Sequence, residues 1–419
     1  MSTASSRWSR RFVLVGVASL CLWQVATLAG APRRTVVTLG LFGFAFHVVF
    51  GKAYTLLPAY FGTDLAFDRA PAVQFPLVVV GTACLAVDPL LPGSVLSGRS
   101  AAVGGPLHGT IDLAAVGSVL WLFGVVVFVG TLVATVAGPL RRGETGTGDH
   151  NADRRPLDRF ANAFVPVVLG YLLVGSAETA AIRIDAVPAL IGVPAAATHL
   201  LAVGAAALLV FVLGFRLLPR FFGAHPTRRS AVVVLPAGAV APLLLAVGFL
   251  DGRLLAAGAA LLSLAVVAFA VVVVRIGVAA KRRRVGVIAV IAGVAFGIVG
   301  VALGVFFAFA GGSLSLVETH LRVNLLGFLG LLIVGVSFQF NPPSVGVFPG
   351  SSDRLATLVV LAIVAGLAIE TLASLAIASP SSTVTGSAAS VRTVGHWLAL
   401  VGAVGYGYLV ASTFAARSY

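Results

Sequence analysis

Long apolar runs constrain the fold of this 419-residue chain more than any other feature. About 20 apolar residues form a helix that crosses the roughly 30 Å hydrocarbon layer, because an α-helix rises about 1.5 Å per residue. We predict twelve such helices, numbered here as spans 1–12, at 12–30, 35–57, 72–91, 110–138, 160–182, 195–218, 231–250, 254–275, 286–310, 318–340, 355–378 and 394–415. The alternating pattern of a membrane β-barrel is absent from the sequence. The sequence therefore predicts an all-α polytopic membrane helix bundle, one integral membrane domain over residues 1–419.

Composition and charge support a membrane location. The chain is 59% hydrophobic and only 10% charged, whereas soluble proteins are about 25% charged, which excludes a soluble enzyme. If the N-terminus is cytoplasmic, 19 of the 28 basic residues fall in inside segments and 6 in outside segments. Such a bias predicts a plasma-membrane protein with both termini cytoplasmic. The net charge of +14 then reflects topology, so we expect lipid contact and no nucleic-acid partner.

Two similar helix ends suggest an internal repeat. Leu56–Gly62 ends span 2 and Leu217–Gly223 ends span 6, 161 residues later, each with Leu-Leu-Pro and a final Phe-Gly. A histidine followed by a glycine 15 residues later occurs in spans 6 and 10, at His199 and His320. We predict a pseudo-three-fold repeat of four helices, with copies over 12–138, 160–275 and 286–415. The alternative is that proline merely ends these helices.

Histidines on the even-numbered spans are the candidate cofactor ligands. They are His47, His108, His199, His320 and His396. Because even-numbered spans are predicted to run from outside to inside, all except His47 lie near the outer surface, and His47 lies near the bilayer centre. Imidazole is a common ligand of haem iron and of copper. The alternative is that these histidines bond water or lipid headgroups at the interface.

Ionisable residues inside a bilayer are costly and therefore mark candidate functional positions. Five such residues are Asp112, Glu178, Glu318, Arg322 and Glu370. A carboxylate near a metal-bound imidazole can orient it, and a chain of such groups can carry protons. A competing interpretation is that Glu318 and Arg322, four residues apart, form an ordinary ion pair along one helix.

Two stretches resemble the haem–copper oxidase superfamily. One is Thr-His-Leu-Leu-Ala-Val-Gly at 198–204, which continues to Gly-Phe-Arg-Leu-Leu-Pro-Arg at 214–220, and the other is Thr-His-Leu-Arg-Val-Asn-Leu-Leu-Gly-Phe at 319–328. They are similar to C-type oxidase and nitric-oxide-reductase catalytic subunits and to NnrS-type haem- and copper-containing membrane proteins. The resemblance implies haem or copper near the outer face, a role in redox or nitrogen-oxide metabolism, and a redox partner or other membrane subunits.

The chain also departs from these families. Arg322 stands where the tenth helix often carries a second histidine, and span 2 carries Thr38 where its histidine is expected. Span 7, at 231–250, has no histidine for a copper site. The sequence thus predicts an incomplete ligand set and leaves enzymatic activity open. The alternatives are a secondary transporter, which repeats and buried charges suit equally well, and a cofactor-free scaffold descended from an oxidase.

Overall fold

The described part of the protein contains twelve helices long and apolar enough to cross a membrane. The computed structural model describes residues 3–91, 112–184, 186–223, 228–280, 285–311, 313–378 and 385–416, and these contain helices and no strand. The spans are Ser6–Leu28, Arg33–Phe61, Ala70–Leu90, Leu113–Arg141, Asp149–Ala181, Pro194–Phe222, Arg228–Gly248, Gly252–Ala279, Val285–Ala310, Leu314–Val345, Asp353–Ala378 and Gly386–Ala416. The prediction of an all-α polytopic membrane helix bundle is confirmed.

The predicted spans differ from the observed ones mainly at their ends. Span 2 extends to Phe61 and span 5 begins at Asp149 with a short helical turn. Span 4 begins at Leu113, because the Asp112 carboxylate accepts a hydrogen bond from the backbone N–H of Ala115 and caps the helix. The Ser/Thr-rich residues 385–390 belong to the helix of span 12. Hydropathy detects the apolar middle of a helix, while capping side chains decide where it ends.

Consecutive spans pack as antiparallel pairs at glycine positions. A Cβ atom added to Gly117 of span 4 would lie 2.9 Å from the carbonyl oxygen of Gly81 in span 3. A Cβ atom on Gly366 of span 11 would lie 2.6 Å from the carbonyl oxygen of Gly395 in span 12. The backbones touch at these crossings, as is typical of membrane helices that associate through small residues.

Spans 2, 6 and 10 form the centre of the bundle. In their most apolar stretches 67%, 67% and 78% of the residues are buried, against at most 61% in any other described span. Each contains a π-helical stretch, Thr38–Phe46, Leu200–Ala207 or Val323–Gly330, and these three stretches contact one another. π-Helical turns are rare and occur frequently at functional sites.

The π-helical stretches also define a register between these three spans. The α-helical segments that follow them begin at His47, Leu208 and Leu331, at offsets of 161 and 123 residues. The four-helix repeat itself stays a prediction. The same offsets align His199 with Arg322, whereas the His–Gly spacing in the sequence aligned His199 with His320, two residues earlier. The spacing between a histidine and a glycine in the sequence does not reveal where a helix widens into a π-helical stretch.

The glycine of the second π-helical stretch provides a test of this packing. A Cβ atom on Gly204 would lie 2.5 Å from Cγ of Tyr171, whose hydroxyl donates a hydrogen bond to the carbonyl oxygen of Ala239. We expect Gly204→Ala to lower the free energy of unfolding by about 1–3 kcal/mol, because the anchored ring has to move. Gly170→Ala, with nothing within 4 Å of the added atom, should change it by less than about 1 kcal/mol. Denaturant unfolding in detergent measures both, and equal losses would contradict the packing.

Candidate functional site

A large cavity lies at the end of the bundle where spans 2, 6 and 10 begin, called the cavity end below. Its volume is about 660 Å³, and most of its wall is apolar side chains from spans 2, 3 and 5–10. Volumes of roughly 300–1,000 Å³ are typical of sites for small molecules and cofactors. The cavity is therefore large enough for an organic ligand.

Two of the candidate histidines, His199 and His320, line this cavity together. Nδ1 of His199 bonds the carbonyl oxygen of Ala195 at 2.8 Å, and Nδ1 of His320 bonds that of Gly300 at 3.0 Å. Because a carbonyl oxygen only accepts, each Nδ1 carries the hydrogen and each Nε2 keeps its lone pair. Among the described residues, neither Nε2 has a hydrogen-bond partner. Both imidazoles are thus in the tautomer whose Nε2 can bind a metal.

Aromatic rings and glycines hold the two imidazoles in place. The ring of Phe249 packs edge-on against His199 at 5.2 Å, and the ring of Phe307 packs likewise against His320 at 5.5 Å. Span 9 approaches His320 through Gly304, where an added Cβ atom would lie 3.4 Å from the imidazole Cε1. The site is therefore built on packed helices, with each ring held by a hydrogen bond to a carbonyl and by one aromatic contact, and with Nδ2 of Asn324 also 3.3 Å from Nδ1 of His320.

Three arginines line the same cavity: Arg33, Arg34 and Arg183. Burial lowers the pKa of Arg183 and the nearby Arg34 lowers it further, while Asp88 and Asp112 raise it. An arginine has so high an ordinary pKa that it remains a cation. Guanidinium groups bind carboxylates and phosphates with particular strength. The cavity therefore favours a ligand that is apolar over much of its surface and carries anionic groups.

A buried ion pair lies outside the cavity. The guanidinium of Arg322 donates to both carboxylate oxygens of Glu370, from Nε at 2.5 Å and from Nη2 at 2.7 Å. It also donates to Gln24 at 2.9 Å and to Thr27 at 3.1 Å. The two charged side chains are 7% and 4% exposed. This network joins spans 1, 10 and 11 through one bidentate pair.

The ion pair changes the interpretation of two candidates. Arg322 binds Glu370 from another span, and Glu318 is exposed, so the pair expected along span 10 is replaced by one between helices. Nε2 of His396 lies 3.8 Å from a carboxylate oxygen of Glu370, and His396 does not line the cavity. Arg322, Glu370 and His396 thus form a cluster of their own.

The remaining candidates lie in separate places. The Glu178 carboxylate accepts hydrogen bonds from the backbone N–H groups of residues 190, 191 and 192 and so fixes the loop before span 6. His47 is buried among aromatic rings of spans 1, 2 and 4. Asp112 caps span 4, and His108 lies outside the described residues. The predicted roles of these residues in proton transfer or ligand orientation stay predictions.

Sequence reasoning missed two groups of charges. It assigned Arg33, Arg34 and Arg183 to topology, although their grouping at one end of the bundle was visible as a signal. It also gave no role to Asp158, a buried carboxylate that binds Arg220 at 2.5 Å and accepts from the hydroxyl of Thr147. No sequence pattern indicates the pairing of Asp158 with Arg220, because it joins the helix Arg155–Asn162 to the far end of span 6.

Clusters of three or more potential metal ligands are absent from the described residues. In the part of the chain that the structure describes, no three His, Cys, Asp or Glu side chains lie together as a metal site. Of the five candidate histidines, His199 and His320 share the cavity, and His108 is outside that part. No protein-family model and no curated protein matches this chain.

The ion pair of Arg322 and Glu370 predicts a large effect of removing one charge. We expect Glu370→Gln to lower the free energy of unfolding by about 3–5 kcal/mol, because it leaves a buried guanidinium without its counter-charge. The control is Glu144→Gln, since Arg142 and Glu144 are 64% and 41% exposed, and exposed pairs contribute about 0–1 kcal/mol. The double variant Arg322→Met/Glu370→Met should recover most of the loss. Thermal unfolding in detergent measures all three, and a small effect of Glu370→Gln would contradict the assignment.

Proposed function

We propose that the cavity binds a haem, held by His199 and His320. The observation that carries this proposal is the pair of imidazoles in one cavity, each with Nδ1 bonded to a carbonyl and Nε2 free to ligate. A histidine whose Nδ1–H is held by a carbonyl is the usual arrangement of a metal ligand. Bound haem supplies one-electron redox chemistry, so the proposed role is in redox or nitrogen-oxide metabolism.

The wall of the cavity suits a porphyrin. Its apolar surface, which includes the rings of Phe42 and Phe328, matches the apolar faces of the macrocycle. The two carboxylates of haem are suited to the arginines that line the same cavity. A cavity of about 660 Å³ is of a size for one ligand of this kind.

The donor set favours haem over copper. Haem iron already has four ring nitrogens and needs one or two protein ligands, so His199 and His320 suffice. A copper or zinc centre built from side chains alone takes three or more, and the described residues bring together only two imidazoles at the cavity. Copper therefore becomes the weaker of the two cofactor proposals.

The chain itself orients the ligands and limits water. The carbonyl oxygens of Ala195 and Gly300 hold the two rings and increase the basicity of each Nε2. Phe249 and Phe307 cover one side of each imidazole. With the predicted cytoplasmic N-terminus, the cavity end faces outward, where a soluble redox partner or another membrane subunit can approach it.

The absorption spectrum of the purified protein tests the proposal. Protein from haem-replete cells should show a Soret band, and His199→Ala and His320→Ala should each lower the haem content and change the spin state, because one ligand is lost. The double variant should be colourless. His150→Ala, at an exposed position in the short helical turn that begins span 5, is the control and should leave the spectrum unchanged. A colourless wild-type protein that is folded, or a Soret band that survives in the double variant, would overturn the proposal.

The arginines predict a preference for the free carboxylates of haem. Apo-protein should bind haem dimethyl ester about tenfold more weakly than haem for each charged hydrogen bond lost. In Arg183→Gln this preference should shrink, whereas Arg253→Gln, at a position outside the cavity lining, should leave it intact. Titration followed by absorbance measures both affinities. Equal binding of the two porphyrins by the wild-type protein would remove the arginines from the site.

A secondary transporter of anions is the second candidate. It is favoured by the arginines at the cavity end together with the ion pair of Asp158 and Arg220, which lies at the opposite end of span 6. Repeats and charges near the bundle interior suit such proteins. Colourless protein that takes up an anion in proteoliposomes, and loses uptake in Arg183→Gln, would support this candidate. Colourless protein without uptake would support the scaffold alternative.

A further inference from the structure

Six buried polar side chains in the described part of spans 1–4 contain atoms without a hydrogen-bond partner. Two of them, Trp23 and Gln24, lie on span 1. The other four lie on spans 2 and 3, and their atoms are Nε2 of His47, the hydroxyl oxygens of Tyr54 and Thr82, and both amide atoms of Gln74. A buried polar group without a partner costs about 1–3 kcal/mol, so native proteins rarely retain several in one place.

His47 and Tyr54, the two groups on span 2, pack against the same two neighbouring helices, spans 1 and 4. His47 and Tyr54 are two helical turns apart, and the ring of Phe12 in span 1 lies 6.2 Å from the first and 6.1 Å from the second. His47 also packs against Trp121 at 6.4 Å, and Tyr54 packs against Phe128 at 5.5 Å. Trp121 and Phe128 of span 4 thus define two levels along the helix axes, one beside His47 and one beside Tyr54.

The two groups on span 3 lie at these same levels. Spans 3 and 4 are antiparallel, and a Cβ atom on Gly81 would lie 2.8 Å from the backbone nitrogen of Trp121. Thr82 is therefore level with Trp121. A Cβ atom on Gly124 would lie 2.4 Å from a methyl group of Val78, which puts Gln74, one turn away, level with Phe128. Each level combines one polar side chain of span 2 with one of span 3.

The fold does not require polar groups at these positions. The offsets of 161 and 123 residues relate His47 to Leu208 and Leu331, and Tyr54 to Phe215 and Phe338. All four equivalents are apolar and buried. At the positions in register with His47 and Tyr54, spans 6 and 10 therefore pack hydrocarbon, and only span 2 carries buried polar groups there.

We propose that spans 1–4 hold a chain of internal water molecules that hydrogen-bonds the side chains of His47, Tyr54, Gln74 and Thr82. Buried water characteristically bridges groups of this kind and makes about three hydrogen bonds. The chain covers the two helical turns between Tyr54 and His47, about 10 Å along span 2.

The water chain ends at the wall of the cavity. Nδ1 of His47 donates a hydrogen bond to the carbonyl oxygen of Phe42 at 2.8 Å, and the ring of Phe42 lines the cavity and packs on Trp121 at 4.7 Å. The ring of Phe42 therefore stands between the water chain and the cavity. The water site rests on the unpartnered polar atoms of spans 2 and 3, so it holds whether or not the cavity binds haem.

Radiolytic labelling tests for this water. A short X-ray pulse makes hydroxyl radicals from water, and radicals from bound internal water label side chains that bulk water does not reach. We expect labelling of Phe50 and Phe128, which pack beside His47 and Tyr54. Phe211 and Phe269 are the matched control, because they are equally buried in the second repeat copy and pack on each other at 5.0 Å. Equal background labelling of both pairs would overturn the proposal.

Removal of single hydroxyl groups gives an independent readout. In Tyr54→Phe and Thr82→Val we expect labelling of Phe50 and Phe128 to fall several-fold, with Tm unchanged or lower, because a partner of the water is lost. If the site is dry, labelling stays at background and Tm rises, because an unsatisfied group has been removed. Tyr406→Phe is the control, since this buried hydroxyl donates to Ser337 at 3.0 Å. It should lower Tm and leave labelling at Phe50 and Phe128 unchanged.

Discussion

The packing of spans 2, 6 and 10 at the centre of the bundle is the constraint on which the other features depend. Each of these helices widens into a π-helical stretch where it meets the other two. The widening sets which residues face the centre and which face a neighbouring span. As a result His199 and His320 share one cavity although they occupy different positions in the register, and Arg322, in register with His199, turns toward spans 1 and 11.

Polar groups inside this bundle, buried or half-buried, are accommodated in three different ways. Arg322 and Glu370 neutralise each other in a bidentate pair, and Glu178 is satisfied by three backbone N–H groups. His199 and His320 each satisfy only one nitrogen and present the other. In a bilayer a polar group without a partner is costly, so this third group is where a ligand adds most. The proposed haem site follows from that difference.

Some of the site was predictable and some was not. His199 and His320 were expected near one end of repeat-related helices, and they do line one cavity. The pairing of Arg322 with Glu370 was not foreseen, because a sequence shows neighbours along one helix and Glu318 was the nearest acid. Arg183 was treated as a topological charge, because charge counting does not show that a loop residue lines a cavity.

The sequence by itself determined that this protein lies in a lipid bilayer, that it has twelve long apolar helices and that its fold is all-α. Those properties follow from the length and apolarity of each run, which are local. The tertiary structure alone decided which histidines meet, which charges pair and which polar atoms lack partners. These depend on helix rotation and close approach, set by glycine contacts and π-helical register between residues far apart in the chain. Local patterns carry the first kind of information, and only packing carries the second.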